Sequence, residues 1–471
     1  MSGGRPGGLA RWREHDHTRG SLLASLAVLA LPLLATNLTG AVLYQVVDLV
    51  FLSRLGDAPM AAVIIANQTI WQVVMMIGLG GSFATQALVA GAVGAGDARR
   101  AERTAAQVLV VGAALAAVVA TASLFAEPLF RATGAEPSFA PYGVPYLRLQ
   151  LLLAGGLIGA MLFRAILTGA GDTTTPLFIT IVQTPLALLV EWAAIFGHLG
   201  LPALGVRGVA LGMAAGQVFA LSVGLRVLFS GRVRLRLRVG DLRPDPRLAR
   251  RIVRLAWPPA VQMMGLVVTT FVYLRLAREF GAAVQAAYSI GLRVGMVVPL
   301  VSFPLASACA TAVGQALGAG QVRRAWRAVG AGILIHGGVL WTAALALVVL
   351  RVPILSALSG DPAVVRYGAE YLLFLGGNFV LMGVQLVVMR SLQGAGDFLV
   401  PMAISLGGAL LVSVPLGYLA VFATDLGPRG LWGASLVGGA VATVAMVSWL
   451  ATGRWTRRGL GVRVEAGASA G

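Results

Sequence analysis

The sequence predicts an all-α integral membrane protein with twelve transmembrane helices in two parallel-repeat six-helix lobes. Three observations lead to this fold class. The chain is apolar, since 58% of its 471 residues are hydrophobic and 11% are charged, against about 25% charged residues in soluble domains. Its two halves repeat the same motifs in the same order. Its basic residues cluster at the termini and at alternate inter-helix segments.

The duplication is visible in two nearly identical motifs. GAGDTTTP occupies Gly169–Pro176, GAGDFLVP occupies Gly394–Pro401, and their aspartates are 225 residues apart. Other residue pairs recur at almost the same spacing: Pro32 with Pro258, Gly94 with Gly318, and Gly208 with Gly430. Ordered repetition at a constant offset indicates an internal duplication. In a membrane protein, such a duplication is typical of a transporter whose substrate site lies between the halves.

The apolar segments give the number of helices. A membrane span needs ~20 mostly apolar residues. We predict spans at roughly 22–52, 60–90, 101–126, 142–168, 174–197 and 206–229 in the first half, and at roughly 249–277, 283–316, 325–350, 364–392, 398–421 and 431–452 in the second. Each repeat has an even number of spans, so both begin on the same side of the membrane and the repeats are parallel.

These spans divide the chain into five parts. We predict an N-terminal tail, an N-lobe, a linker, a C-lobe and a C-terminal tail at residues 1–21, 22–230, 231–248, 249–453 and 454–471. The polar N-terminus leads into an apolar stretch without a small-residue cleavage site, which indicates a first span and not a removable signal peptide. The single cysteine, Cys309, excludes an internal disulfide and a multi-cysteine metal site. We expect no metal site and no organic cofactor.

The arginines predict the topology. All 36 basic residues are arginines, and they cluster in the two tails, near residues 99–103 and 323–327, and most densely at 226–254. The positive-inside rule therefore predicts that both termini and the linker are cytoplasmic in a multi-pass protein of the inner (plasma) membrane. The run RVRLRLR at Arg232–Arg238 is expected to face anionic lipid, as an interfacial strand or helix. We expect no nucleic-acid partner.

Two acidic residues lie inside apolar spans. Asp48 is in YQVVDLVFL of the first span, and Glu191 is in LALLVEWAAIF of the fifth. Burying either carboxylate without a partner would cost at least several kcal/mol, and acids within spans are commonly functional. Such a group can load and release a proton near neutral pH. We predict a proton or cation site from this pair and Tyr44, one turn before Asp48. The alternative is that each carboxyl only joins helices by hydrogen bonds.

Other polar side chains are candidate substrate contacts. Asn37 lies roughly on the helical stripe of Tyr44 and Asp48, and Gln183 precedes Glu191 by eight residues on one face. Gln217, in the sixth span, is a third candidate of the first half. The second half has no comparable central acid, and its candidate substrate contacts are Gln262, Tyr273 and Gln385. Each amide has an alternative role in joining helices. Arg293 and Arg390 are expected to lie near span edges, where an arginine can reach the interface.

The combined motifs resemble a known family. LPLLATNLTGAVLYQVVDLVFLSRLG, VGAGDARRAER and LTGAGDTTTP are similar to the multidrug and toxic compound extrusion family, over about residues 22–455. The resemblance implies two six-helix lobes around a central cleft, and export of organic cations and other amphipathic compounds in exchange for H⁺ or Na⁺. The acid of the family's first helix matches Asp48, and the tyrosine one turn earlier matches Tyr44.

The chain also departs from the family pattern. The family's Asn-x-x-x-Asp-Pro in helix five falls on Ala187 to Trp192, so that its aspartate is Glu191 and its asparagine is Ala187. A threonine frequent in helix six falls on Met213, although Gln217 matches. The arginine before GAGD is replaced by Thr168 and by Gln393, and the acids that some members carry in helices seven and ten are missing. The pattern is most similar to the DinF-like branch.

We therefore predict an antiporter, not an enzyme, that exports amphipathic, typically cationic organic compounds in exchange for protons by alternating access. We expect it to act as a monomer. Coupling to Na⁺ is the first alternative, and H⁺ is favoured because two carboxyls without the matching Asn and Thr offer few oxygen ligands. A lipid-linked oligosaccharide flippase would need a strongly cationic cleft. A membrane transferase would need clustered acids or a His–acid pair, whereas the four histidines are scattered, at His15, His17, His198 and His336.

Overall fold

The computed structural model describes residues 21–231 and 233–457, apart from the side chains of Ala41 and Pro299. The described residues form helices and connecting turns, with no strand among them. They divide into two compact units, one made mainly of Val28–Val93 and Asp97–Ala260 and the other mainly of the chain from Val261 onward. The arginines and histidines of the N-terminal tail, the arginines of the C-terminal tail beyond Arg457, and Arg232 lie outside the described residues.

Six membrane-crossing helices precede the linker. They are α1 Leu22–Ser53, α2 Asp57–Gly94, α3 Ala98–Arg131, α4 Pro137–Leu152 with Ala154–Ala170, α5 Thr174–Phe196 and α6 Val206–Ser230. The two parts of α4 meet at a 48° bend, and α4 is counted as one span. Each of the other five is long and apolar enough to cross a bilayer.

Six more follow the linker. They are α7 Pro246–Arg278, α8 Ala282–Gly295 with Val297–Gly318, α9 Val322–Val349, α10 Pro362–Gly394, α11 Leu399–Phe422 and α12 Gly427–Ala451. A short helix, Arg351–Leu358, lies between α9 and α10, and another, Arg454–Arg457, follows α12. With α4 counted once, the described residues hold twelve spans. The predicted all-helical membrane fold with twelve spans is confirmed, while the residue bounds of the two lobes stay predictions.

The duplicated GAGD motif forms a tight turn in each half. Gly171 and Gly396 both have φ of +90°, a conformation that glycine adopts without the steric cost of a side chain. In the first copy, Asp172 Oδ1 accepts hydrogen bonds from the backbone N–H groups of Thr174 and Thr175, at 3.1 and 2.9 Å. An aspartate that satisfies free N–H groups at a helix start stabilises that start. The repeated sequence therefore encodes a repeated turn before α5 and α11.

The linker packs on α3. Arg99 donates two hydrogen bonds to the carboxylate of Asp241, at 2.7 and 2.6 Å. The Gln107 side-chain amide donates to the carbonyl oxygens of Asp241 and Arg243, at 2.9 and 2.6 Å. The segment before this contact was predicted to be an interfacial strand or helix. Its described part has no regular secondary structure, and Leu235 and Leu237 are buried, because these leucines pack into the first unit.

Three helices are interrupted by π-helical segments. They are Leu38–Leu43 in α1, Asn67–Trp71 in α2 and Gly407–Ser413 in α11. Segments of this kind are rare and occur frequently at functional sites, since the wider turn redirects side chains and loosens backbone pairing. All three contribute residues to the walls of the two cavities described below.

Candidate functional site

A cavity of about 380 Å³ lies within the first unit. We call it the N-cavity; α1, α2, α4, α5 and α6 line it. Five of the predicted site residues are in its wall: Asn37, Tyr44, Asp48, Gln183 and Gln217. The wall also contains apolar surface, including Trp71 and Met75. The N-cavity therefore combines a polar face with apolar contacts, as a site for an amphipathic molecule requires.

The two membrane acids meet beside this cavity. Glu191 is fully buried, and Tyr44 Oη donates a hydrogen bond to Glu191 Oε2 at 2.8 Å. The carboxyl of Asp48, in the cavity wall, lies within hydrogen-bonding reach of the carboxyl of Glu191. Each carboxyl keeps one buried oxygen, Asp48 Oδ1 and Glu191 Oε1, without a hydrogen-bond donor. A single proton held between the two carboxyls would give the pair the hydrogen bond that two ionised carboxylates lack.

Tight packing of α5 against α6 fixes Glu191. A Cβ atom added at Gly212 would lie 2.3 Å from Glu191 Cβ, and one added at Gly216 would lie 2.7 Å from Ala187 Cβ. Both distances are far shorter than a normal van der Waals contact, so the two helices approach as closely as glycine allows. The small Ala187, which replaces the family's asparagine, faces Gly216 in this contact. The backbone on either side of Glu191 therefore leaves its carboxyl little freedom to move.

A second polar cluster lies beside the acids and was missed in the sequence. Tyr146 Oη and the Gln150 amide both donate to Asn67 Oδ1, at 2.9 and 3.3 Å. Gln150 also contacts the sulfur of Met213 at 3.6 Å. The signal in the sequence was weak, because Asn67 resembles an ordinary helix-joining amide until its π-helical segment is seen.

Arg164 is a further residue of the site that the sequence did not predict. It is half-buried in the N-cavity wall and donates a hydrogen bond to Gln183 Oε1 at 2.7 Å, while its buried Nε has no acceptor. Gln183 was predicted as a substrate contact, and in the structure its carbonyl oxygen is held by this arginine. A lone arginine inside the apolar run MLFRAILTGA was the signal that could have revealed it.

A second cavity, of about 510 Å³, lies within the second unit. We call it the C-cavity; it contains the remaining three predicted contacts. Gln262 is buried and donates to Ser405 Oγ at 2.7 Å, and Tyr273 Oη donates to the Ser413 carbonyl at 2.9 Å. Both bonds join helices, the alternative that the sequence left open. Gln385 lines the cavity and makes no hydrogen bond to another described residue.

The prediction for Arg390 was wrong. This side chain is 1% exposed and does not reach an interface. Its guanidinium donates to Gln393 Oε1 at 2.8 Å, and Gln393 in turn donates to Gln262 Oε1 at 3.3 Å. A chain of amide groups thus supplies inside the unit the hydrogen bonds that a charged group otherwise seeks in water. Arg293 is exposed, and its position near a membrane interface stays a prediction.

Twelve spans, a duplicated sequence and a cavity in each unit define a polytopic membrane transporter. The MatE family profile matches residues 32–193 and 258–419, which shows that the chain belongs to this family. A probable multidrug resistance protein NorM of Burkholderia pseudomallei is 31% identical over 94% of this chain and 95% of its own length. A NorM of Thermotoga maritima is 25% identical over 92% and 93%.

Solved structures agree in fold. A crystal structure of MATE in the bent conformation has a TM-score of 0.85 at 21% identity, covering 94% of this chain and 97% of its own. A transporter of the MOP superfamily from Pyrococcus furiosus has a TM-score of 0.84 at 20% identity, covering 94% and 98%. The predicted family is confirmed: the protein is a multidrug efflux transporter of the membrane and not an enzyme. The relatives named here carry the NorM name, and the DinF-like branch stays a prediction.

Proposed function

We propose that this transporter exchanges protons for amphipathic, typically cationic organic compounds by alternating access. The observation that carries the proposal is the contact between the carboxyls of Asp48 and Glu191 at the N-cavity. We further propose that it acts as a monomer in the inner membrane, with both termini in the cytoplasm, as the distribution of arginines indicates.

The acid pair is suited to hold a proton. Two carboxylates in contact repel each other strongly where water is scarce. One shared proton removes that repulsion and supplies a hydrogen bond between the two groups. Tyr44 orients Glu191 by donating a hydrogen bond to its Oε2. Since Glu191 is completely buried and Asp48 lines the cavity, protons would reach Glu191 through Asp48.

Arg164 gives protonation a second consequence. It shares the N-cavity wall with Asp48. When both acids are ionised, these three charges sum to −1. One shared proton brings the sum to 0, and a second proton brings it to +1. An organic cation is therefore attracted to the ionised site and repelled from the protonated one. Proton entry would expel the cation by changing the sign of the charge around it, in addition to competing for the carboxylates.

The cavity size supports a small organic substrate. A volume of about 380 Å³ lies at the lower end of the ~300–1,000 Å³ range of small-molecule pockets. Trp71 can stack on a flat apolar ring, and the flexible Met75 can adapt to different shapes. The proposed substrates are therefore compact amphipathic cations.

Reconstituted transport under separate ion gradients tests the proposal. The purified protein in proteoliposomes should move a fluorescent organic cation when a pH gradient is imposed, and it should not respond to a Na⁺ gradient at constant pH. Liposomes containing Asp48→Asn serve as the matched control, because asparagine keeps hydrogen bonding but cannot titrate. Transport that follows Na⁺ and ignores pH would replace the proton by Na⁺ as the driving ion.

A further inference from the structure

The C-cavity differs from the N-cavity in the chemistry of its wall. Among the described residues that line its 510 Å³ there is no Asp, Glu, Arg or His. Its wall is built instead from aromatic side chains, methionines, small residues and a few amides and hydroxyls. A cavity of this size and composition is suited to a small organic molecule, and the proton-exchange site described above does not use it.

Three aromatic rings form a rigid wall. The rings of Tyr288 and Trp432 are stacked, with centroids 5.6 Å apart and planes 10° from parallel. Tyr371 packs edge-on against both, at 5.1 and 5.0 Å. All three are at least 93% buried and line the cavity. Only a small part of each ring faces the cavity, but that part is held rigidly, so a flat ligand can pack against it without a loss of side-chain entropy.

Several polar groups of the wall remain available to a ligand, and the amide of Gln385 is the most versatile of them. Gln262, Tyr273 and Asn378 are each engaged by hydrogen bonds inside the unit. The half-buried amide of Gln385 lines the cavity and makes no hydrogen bond to another described residue. An amide offers both a donor and an acceptor. It can therefore orient one polar end of a ligand whose other end contacts the aromatic wall.

The π-helical segment of α11 is an independent sign of function. Gly408, Ala409 and Ser413, all within Gly407–Ser413, line the C-cavity. The other two π-helical segments among the described residues contribute to the N-cavity, through Gly40 and through Asn67. Because π-helical segments are rare and concentrate at functional sites, the third one distinguishes the C-cavity from a packing defect.

The missing charges decide the ligand class. A cation that entered this cavity would lose its hydration and find no carboxylate in the described wall, which is costly. An uncharged molecule incurs no such penalty. We propose that the C-cavity is a second ligand site, for an uncharged, flat amphipathic molecule that packs on Tyr288, Tyr371 and Trp432 and hydrogen-bonds to Gln385. The C-cavity site depends on the proposed function in one respect only, which is that uncharged amphipathic molecules are taken to be substrates of the same exporter.

Two related dyes test the site by binding alone. Nile red is uncharged and carries a ring carbonyl, whereas Nile blue has nearly the same ring system and a positive charge. Binding to the protein in nanodiscs is measured by equilibrium dialysis, with empty nanodiscs subtracted to remove partitioning into lipid. We expect saturable binding of Nile red. Its affinity should be the same at pH 6 and pH 8 and should be retained in Asp48→Asn, because the ligand is held without ionic contacts.

Two variants assign the binding to this cavity. Ala409→Phe places a ring in the cavity and should abolish saturable Nile red binding. Gln385→Leu keeps the side-chain size and removes one hydrogen bond, which should weaken binding about fivefold. Gln72→Leu, the same change in the N-cavity wall, should leave Nile red binding unchanged. Gel filtration and thermal unfolding report whether Ala409→Phe folds, and if it does not, Gln385→Leu decides alone.

Three results would overturn the proposal. In the first, Nile red still binds to both Ala409→Phe and Gln385→Leu. In the second, Nile red binding is lost in Gln72→Leu. In the third, Nile blue binds as tightly as Nile red and its binding is lost in Gln385→Leu. None of these depends on transport. A failure of proton-driven exchange would leave the binding result intact, and a failure of the C-cavity site would leave proton exchange intact.

Discussion

The two cavities come from the two halves of one duplicated sequence, and they have diverged in charge. The N-cavity has Asp48 and Arg164 in its wall and Glu191 directly behind it. The C-cavity has no charged residue in its described wall and more aromatic surface. A duplicated scaffold thus keeps its helices and its GAGD turns while its interior changes. Under the proposed mechanism one charged site is enough for ion coupling, so the second half does not need an acid.

Replacing the titrating acid of the first half is the strongest test of this difference in charge between the two cavities. Asp48→Asn should reduce pH-driven cation transport at least about a hundredfold while the protein still folds, because the amide cannot exchange a proton. Transport in proteoliposomes measures the loss. Asp425→Asn, an exposed acid of the second half, is the matched control and should transport normally. Full pH-driven transport by Asp48→Asn would remove the acid pair from the mechanism.

The charge-reversal idea is sharpened by removing the fixed cation. With Arg164→Gln, a cationic probe should bind about tenfold more tightly at pH 5.5 than it does to the unmodified protein, since a charge about 10 Å away contributes on the order of 1–2 kcal/mol at intermediate dielectric. Its affinity at pH 8 should change less. Arg207→Gln, which alters an exposed arginine of α6, provides the comparison. Equal affinities at pH 5.5 for all three proteins would show that Arg164 does not contribute to release.

The sharing of protons can be read from the width of the pH dependence. Two carboxyls that share a proton titrate in two separated steps, whereas Glu191→Gln leaves one carboxyl and one step, so the pH dependence of transport should shift or become narrower. Glu191→Asp should keep partial activity, because a shorter carboxyl still titrates. Tyr44→Phe should lower transport about threefold in the unmodified protein, through loss of one hydrogen bond, and should add little in Glu191→Gln. Additive effects would mean that Tyr44 acts independently of Glu191.

The smallest expected effect concerns packing behind the acid. Gly212→Ala forces α6 away from Glu191 and should lower the free energy of unfolding by about 1–3 kcal/mol, as overpacking does. Gly338→Ala, in α9, adds a methyl group where no atom lies within 4 Å and should be neutral or slightly stabilising. Thermal unfolding in detergent measures both. Equal stabilities would show that the contact at Glu191 can relax freely.

Part of the candidate site can be predicted from the sequence, because a charged residue within an apolar run is rare. Asp48 and Glu191 were found for that reason, and the one-turn spacing to Tyr44 placed the tyrosine on the same face. Arg164 carried the same signal and was overlooked among many other arginines. Arg390 was noticed, but its environment was wrongly predicted, because a sequence does not reveal that Gln393 and Gln262 solvate it from neighbouring helices.

The sequence by itself determined the membrane class, the twelve helices, the duplication and the two acids, because apolar length, repeated motifs and isolated charges are properties of the chain read locally. Only the tertiary structure decided that Tyr44 bonds to Glu191, that Gln183 is held by Arg164 and that Gln262 and Tyr273 join helices. Those partners are separated by 19 to 147 residues. Which polar group faces which is set by how closely helices approach, and that depends on residues such as Gly212 that carry no chemical signal of their own.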